Sequence, residues 1–271
     1  MEKDIVLKVE NLDVELEGER ILENLSFEVK EGEVLTILGP NGAGKTVLLK
    51  TLLGILPYQG EIEWKKGVKI GYVPQRLPFI KDVPMSVEEF FKLKWTSEKE
   101  TIEILNSIGL KDYNPPTTRG AREAGGWREG GVPAFGWAPN ILKKKIGDLS
   151  SGQFQRILVG WALAKNPQVL LFDEPTTGID IGGQESIYNL LEKLKKDYNP
   201  PSTLPPSVGP SKNLTILLVT HDLSIVYKFA TNCFCLNKKV LCYGTPRELT
   251  TERLSQLYGG EIKFYEHKHA P

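Results

Sequence analysis

Apolar and polar residues alternate along residues 5–9, 13–16 and 25–29, the two-residue period of strands that bury one face and wet the other. Residues 34–38, Val-Leu-Thr-Ile-Leu, break that alternation, and so continuous an apolar run predicts a strand covered on both faces. The pattern then changes to helical spacing over residues 46–53, stopped by Gly54. Helical spacing recurs over residues 86–93, where Ser86 and Glu89 are placed as a capping box, and over 98–110, giving a helical middle region. A further amphipathic helix, 153–165, leads into a second buried strand, 169–172. The helix 184–196 precedes a third buried strand, 215–219. Three buried strands interleaved with helices predict an α/β fold, with the alternating strands near the start as an antiparallel part. In such sheets ligands sit at the carboxyl ends of the buried strands.

Two stretches, 114–140 and 198–212, are rich in Pro and Gly and carry no apolar period, so both are expected to be loops. They begin on nearly the same words: Lys111-Asp112-Tyr113-Asn114-Pro115-Pro116-Thr117-Thr118 returns as Lys196-Asp197-Tyr198-Asn199-Pro200-Pro201-Ser202-Thr203. Related sequence placed at two helix ends predicts tolerated surface insertions, since a long loop adds little closure entropy. Trp127, Phe135 and Trp137 in the first of them offer the alternative of a docking site.

A chain of 271 residues with 40% hydrophobic content is long enough for one large domain with a real core. Lys plus Arg and Asp plus Glu both number 34, so no net field draws nucleic acid or an anionic membrane. The opening MEKDIVLKVE lacks an apolar signal stretch, and no window approaches the ~20 apolar residues that span a bilayer. A cytoplasmic chain that meets a membrane only through a partner is expected. The three cysteines, Cys233, Cys235 and Cys242, are too few for a disulfide framework and are expected as buried thiols, Cys233 and Cys235 on one strand face.

Between the first buried strand and its helix stands Gly39-Pro40-Asn41-Gly42-Ala43-Gly44-Lys45-Thr46, a full G-x-x-x-x-G-K-T phosphate loop in the strand–loop–helix context it requires. Lys45 would reach the β- and γ-phosphates and the Thr46 hydroxyl would ligate Mg²⁺. The second buried strand ends in Asp173-Glu174, two carboxylates that are costly to bury without a cation or a water. Asp173 suits the Mg²⁺ shell and Glu174 suits general base on the attacking water. His221 follows the third buried strand, placed to touch a γ-phosphate and orient Glu174. The Gln75 amide suits Mg²⁺ or water, and Ser150-Ser151-Gly152-Gln153 opens a helix with exposed hydroxyls and amides.

The set GPNGAGKT, YVPQ, LSSGQ, LLFDEP, GID and VTHD resembles the ATPases of ABC transporters over essentially the whole chain outside the two insertions. The resemblance implies a P-loop NTPase of ABC type: a mixed sheet core with an antiparallel β subdomain over about 1–75 and 166–245, a helical subdomain over about 76–165, and a tail from 246. It makes Lys45 and Thr46 the Walker A pair and Gln75 the Q-loop residue. Asp173 becomes the Walker B aspartate, Glu174 the catalytic base, Asp180 the D-loop residue and His221 the switch histidine. It further implies a head-to-tail homodimer with ATP and Mg²⁺ between subunits, where Ser150 to Gln153 of one subunit face the γ-phosphate held by Lys45 of the other.

Three positions depart from that family's pattern. Ser151 stands where Gly is usual, at a cost on the order of 1 kcal/mol if the backbone there needs positive φ. Leu16 stands where many members stack an aromatic on adenine. Thr177-Gly178-Ile179-Asp180 replaces Ser-x-Leu-Asp while keeping the carboxylate. The run from Cys235 to Pro246 and the stretch 149–164 resemble the ATPases of zinc and manganese importers, which work with a membrane permease and, through it, an extracytoplasmic binding protein. ATPases of iron-chelate or cobalamin importers, a soluble ABC ATPase, and a module that holds ATP without turnover are the alternatives. His267 and His269 offer a tail metal site, against a plain polar tail.

Overall fold

The computed structural model describes residues 4–75, 77, 83–110, 141–197 and 214–259. Both insertions, with their three aromatic residues, and the His267/His269 tail lie outside these.

The alternating segments form β1 (Ile5–Leu16) and β2 (Glu19–Lys30), paired antiparallel. Two strands had been expected within β1 because the burial phase slips: Val9 is buried, and so are Leu12 and Val14, with register shifts between them at Asn11, whose φ is 49°. The bulge takes up one residue and the strand continues. The apolar run is β3 (Val34–Leu38), followed by helix α1 (Lys45–Leu52) and then by β4 (Gln59–Trp64), which adds to β1 to complete a three-stranded sheet in the order β2-β1-β4.

β5 (Ile70–Val73) leads to the helical middle: α2 (Val87–Lys92), α3 (Glu98–Ser107) and α4 (Ser151–Leu163). Helix α3 ends three residues earlier than its pattern, because Gly109 takes a φ of 75°. Phe90 of α2 stacks on Trp161 of α4 with ring centroids 5.2 Å apart, locking the two helices. The chain then returns through β6 (Val169–Asp173), α5 (Ile181–Asp197), β7 (Thr215–Val219), α6 (Leu223–Phe229), the hairpin β8 (Asn232–Asn237) and β9 (Lys239–Gly244), and α7 (Thr251–Tyr258).

Six strands assemble in the order β5-β6-β7-β3-β8-β9, all parallel except β9. The continuous apolar runs are explained by this sheet's two covered faces. Val34, Leu170, Phe172, Ile216, Leu218 and Cys233 pack into one core with the helices. Their chain neighbours Leu35, Val169, Leu171, Leu217, Val219 and Phe234 pack into a second core with β1 and β2. A mixed sheet, an antiparallel β layer and a set of helices are all present, as the resemblance implied.

The cysteine expectation is corrected in one respect. Cys233 is a buried free thiol facing the same core as Cys235, but Cys235 is bonded to Cys242. The two are direct cross-strand partners on the β8–β9 hairpin with Cα atoms 4.8 Å apart, within bridging reach. Sequence spacing alone does not show which hairpin residues pair.

Candidate functional site

At the end of β3 the chain enters the glycine loop against the back of β8, with Leu38 opposite Cys235. A Cβ on Gly39 would lie 2.1 Å from the Leu236 carbonyl oxygen, so no side chain fits there. Gly44 has a φ of 92° and sits where a Cβ would come 2.6 Å from Leu22 Cδ2. The loop curls around its own lysine: Lys45, buried, donates from Nζ to the carbonyls of Gly39 and Pro40, each at 2.9 Å. Ala43 donates its amide to Pro40 O at 3.2 Å and accepts from the Lys238 amide at 3.2 Å, fixing the middle of the loop, Asn41 and Gly42 included, between its own turn and the hairpin.

Helix α1 begins at Gly44 with no side-chain cap and no acidic residue in its first turn, whereas α2, α3 and α4 each carry a full capping box. Its first amides are therefore offered to an anion. Thr46 on the same turn donates its hydroxyl to Asp173 Oδ1 at 3.0 Å, and Tyr72 of β5 donates to Asp173 Oδ2 at 3.3 Å. Burial pushes the Asp173 carboxyl up, with the Glu174 charge acting the same way and the two hydroxyl bonds opposing it. Burial likewise raises the Tyr72 phenol, which stays a donor. The Thr46 hydroxyl and the Asp173 carboxylate give a hard oxygen donor set beside the open amides, which fits Mg²⁺.

Glu174 is where the three buried strand ends meet. Its own φ is 46°, held by its amide donating to Val219 O of β7 at 3.0 Å. Its Oε2 accepts from Gln75 Nε2 at 2.9 Å and from Thr177 Oγ1 at 3.0 Å, and lies 3.8 Å from His221 Nδ1. Its Oε1 is 3.6 Å from Lys45 Nζ. Lys45, Thr46, Gln75, Asp173, Glu174 and His221 are thus brought together from β3, β5, β6 and β7. Tyr72 and Thr177 belong to the same cluster, although the sequence marks neither as a site residue. Four-residue β5 is too short for its period to reveal which face Tyr72 takes.

The other candidates lie apart from this cluster in their bonding. Ser150 caps α4: its Oγ accepts from the Gln153 amide at 3.2 Å, and Gln153 Oε1 accepts from the Ser150 amide at 3.2 Å and from Lys144 Nζ at 3.3 Å. Ser151 is the first helical residue and is absent from the residues with positive φ, so its Cβ costs nothing of the kind allowed for above. Ser151→Gly is accordingly expected to change turnover by no more than about two-fold and to lower stability by under ~1 kcal/mol, measured by phosphate release and thermal melting. A Cβ on Gly152 would meet nothing nearer than Gly183 Cα at 3.9 Å. Asp180 caps α5, its Oδ1 accepting from the Gly183 amide at 2.8 Å. Leu16 ends β1 opposite Glu19, half-buried on the second core.

The model of the ABC transporter family matches residues 22–177. A zinc import ATP-binding protein of Magnetococcus marinus is 32% identical over 98% of this chain and 89% of its own length. One from Brucella abortus is 31% identical over 98% of this chain and 78% of its own. Among solved structures, a transporter described as of metal-chelate ABC type superposes with a TM-score of 0.69 at 26% identity, covering 94% of this chain and 89% of that one. With the family model spanning more than half of the sequence and relatives this similar along nearly all of it, the chain belongs to the ABC transporter family, as an ATP-hydrolysing subunit.

Proposed function

We propose that this chain energises import of a divalent metal, zinc or manganese, through a separate membrane permease. The observation that carries the enzymatic part is the single carboxylate of Glu174 met by Lys45, Gln75, Thr177 and His221. The relatives named for zinc import carry the substrate part. In this reading the backbone N–H groups of the loop from Gly39 to Thr46, Pro40 excepted, and the Lys45 ammonium bind the triphosphate of ATP, and Leu16 lies against the base. Thr46, Asp173 and Gln75 would hold Mg²⁺, which would neutralise phosphate charge.

For Lys45 to reach phosphate oxygens, its bonds to Gly39 O and Pro40 O must exchange for the substrate. Glu174 then takes a proton from the water that attacks the γ-phosphorus, as the bond from that phosphorus to the bridging oxygen breaks and ADP leaves, while Gln75 and His221 orient the water. Ser150, Ser151, Gly152 and Gln153 of a second copy, set head to tail, complete each site, with Asp180 lining the contact. ATP-driven closure moves the helical region, about 76–165, against the core and so against the permease. The chain works at the cytoplasmic face of the membrane, and an extracytoplasmic binding protein supplies the metal. The metal-chelate neighbour favours import of a chelated metal as the second reading.

Tagged in its native cell, the chain is expected to purify from detergent-solubilised membranes together with a polytopic permease. Its deletion is expected to abolish high-affinity uptake of radioactive zinc or manganese. Loss of iron-chelate uptake instead would establish the second reading. Purification without any membrane partner, with metal uptake intact, would overturn import.

A further inference from the structure

The histidine at the site has little packing of its own: the His221 side chain is 62% exposed and its Nδ1 stands 3.8 Å from Glu174 Oε2, beyond hydrogen-bond distance. It projects into an open cleft of about 570 Å³ lined also by Thr176, Gln184, Tyr188 and Asp222. Where the imidazole sits is therefore decided by the backbone on either side of it, and that backbone is fixed through Asp222. The Asp222 amide donates to Thr220 Oγ1 at 3.1 Å, and Asp222 Oδ1 caps α6 by accepting from the Ser224 amide at 2.8 Å and hydroxyl at 2.7 Å. Its other oxygen, Oδ2, accepts from the Tyr188 hydroxyl at 2.8 Å.

Tyr188 lies on α5, the helix whose first turn Asp180 caps. A phenol has one proton, and the Asp222 carboxylate takes it, so the Thr176 hydroxyl 3.3 Å away is the donor to the Tyr188 oxygen. Burial, with Asp222 adding to it, pushes the phenol up to about 12, so it remains a donor. The hydroxyl consequently ties together three segments: Thr176, beside the Thr177 that bonds Glu174; α5; and the loop carrying His221. We propose that Tyr188 is a positioning residue for hydrolysis, its bond to Asp222 setting His221 against Glu174 and making that placement follow the movement of α5. This rests on the assignment of Glu174 and His221 above.

The test is single-turnover ATP hydrolysis by the full chain with its permease, alongside affinity for a fluorescent ATP analogue and a thermal melt. Tyr188→Phe keeps the ring and removes the hydroxyl with its bonds to Asp222 and Thr176. Its turnover is expected to fall by about ten- to a hundred-fold, the scale of a misplaced catalytic group, with nucleotide affinity and KM for ATP within about two-fold of wild type. In a His221→Ala background, Tyr188→Phe is expected to cost nothing further, because its effect runs through that imidazole. A role confined to folding would add its full cost there. If Tyr188→Phe does not fold, Asp222→Ser, whose single hydroxyl can still cap α6 but which lacks the second oxygen that meets Tyr188, gives the same comparison from the other end of the bond. Wild-type turnover in Tyr188→Phe, or an undiminished loss in the His221→Ala background, overturns the proposal. Glu174→Gln in the same assay separates the two levels: if it hydrolyses normally the site assignment fails, and if it is inactive while Tyr188→Phe is not, only the positioning role fails.

Discussion

Glu174→Gln should bind ATP and scarcely hydrolyse it, with turnover reduced by about 10²- to 10⁴-fold, the contribution of a positioned general base. The substitution preserves shape at a point where shape matters. The side chain is 13% exposed and its Oε2 is already held by Gln75 and Thr177. An amide oxygen in the place of Oε2 can keep both of those bonds, but an amide cannot take the proton from water. The bonds of Lys45 to Gly39 O and Pro40 O do not involve Glu174, so the phosphate loop keeps its form. Stalled before hydrolysis, the variant is also expected to accumulate as an ATP-bound dimer. Phosphate release in a single turnover and size-exclusion chromatography with and without ATP are the measurements. Wild-type turnover would refute the assignment.

Gly39→Ala is expected to be the most damaging single-methyl change in the loop. The added carbon would stand 2.1 Å from a backbone oxygen, Leu236 O, and 3.1 Å from Ala43 Cβ. Neither can swing aside as a flexible side chain can: Leu236 belongs to β8, hydrogen-bonded between β3 and β9. Relief requires the strand or the loop to move, at about 3 kcal/mol, the upper end of ordinary overpacking. That lowers the melting temperature on the order of 5–10 °C. The displaced loop also loses its grip on ATP. Gly42→Ala is the control, since nothing lies within 4 Å of its Cβ and only a φ of 80° opposes it, a cost of about 1–2 kcal/mol. Paired melts and titrations with a fluorescent nucleotide test the ranking, and equal melting of the two variants would contradict it.

The site was legible in sequence to an unusual degree where residues are adjacent along the chain. Gly39 to Thr46 form one continuous loop, and Asp173 and Glu174 are neighbours at the end of a continuous apolar strand. Contacts that a side chain makes by folding back or by reaching across elements leave no such mark. Tyr72 meets Asp173, Thr177 turns back onto Glu174, and Tyr188 reaches Asp222 from a helix 34 positions earlier. Similarly, β4, β5 and β9 carry weak signals because each is short or half-exposed, and the pairing partners of β4 and β5 lie far away in the chain.

The sequence by itself determined the α/β class, the buried strands and the phosphate loop, because each is written in local spacing: a period of two, a continuous apolar run, a glycine where the backbone must turn. Ser151 shows the limit of that information, since its conformation depends on where α4 begins, and Ser150 sets that beginning by capping. Only the tertiary structure decided that Lys45 is folded onto its own loop, that Cys235 is bonded to Cys242, and that Glu174 gathers side chains from three other strand ends. The last of these is a consequence of the strand order β5-β6-β7-β3-β8-β9, which lays residues about a hundred positions apart against one another. Spacing along a chain has no means of stating such an order, because burial rewards any register that covers both faces, and only packing of the whole sheet selects one.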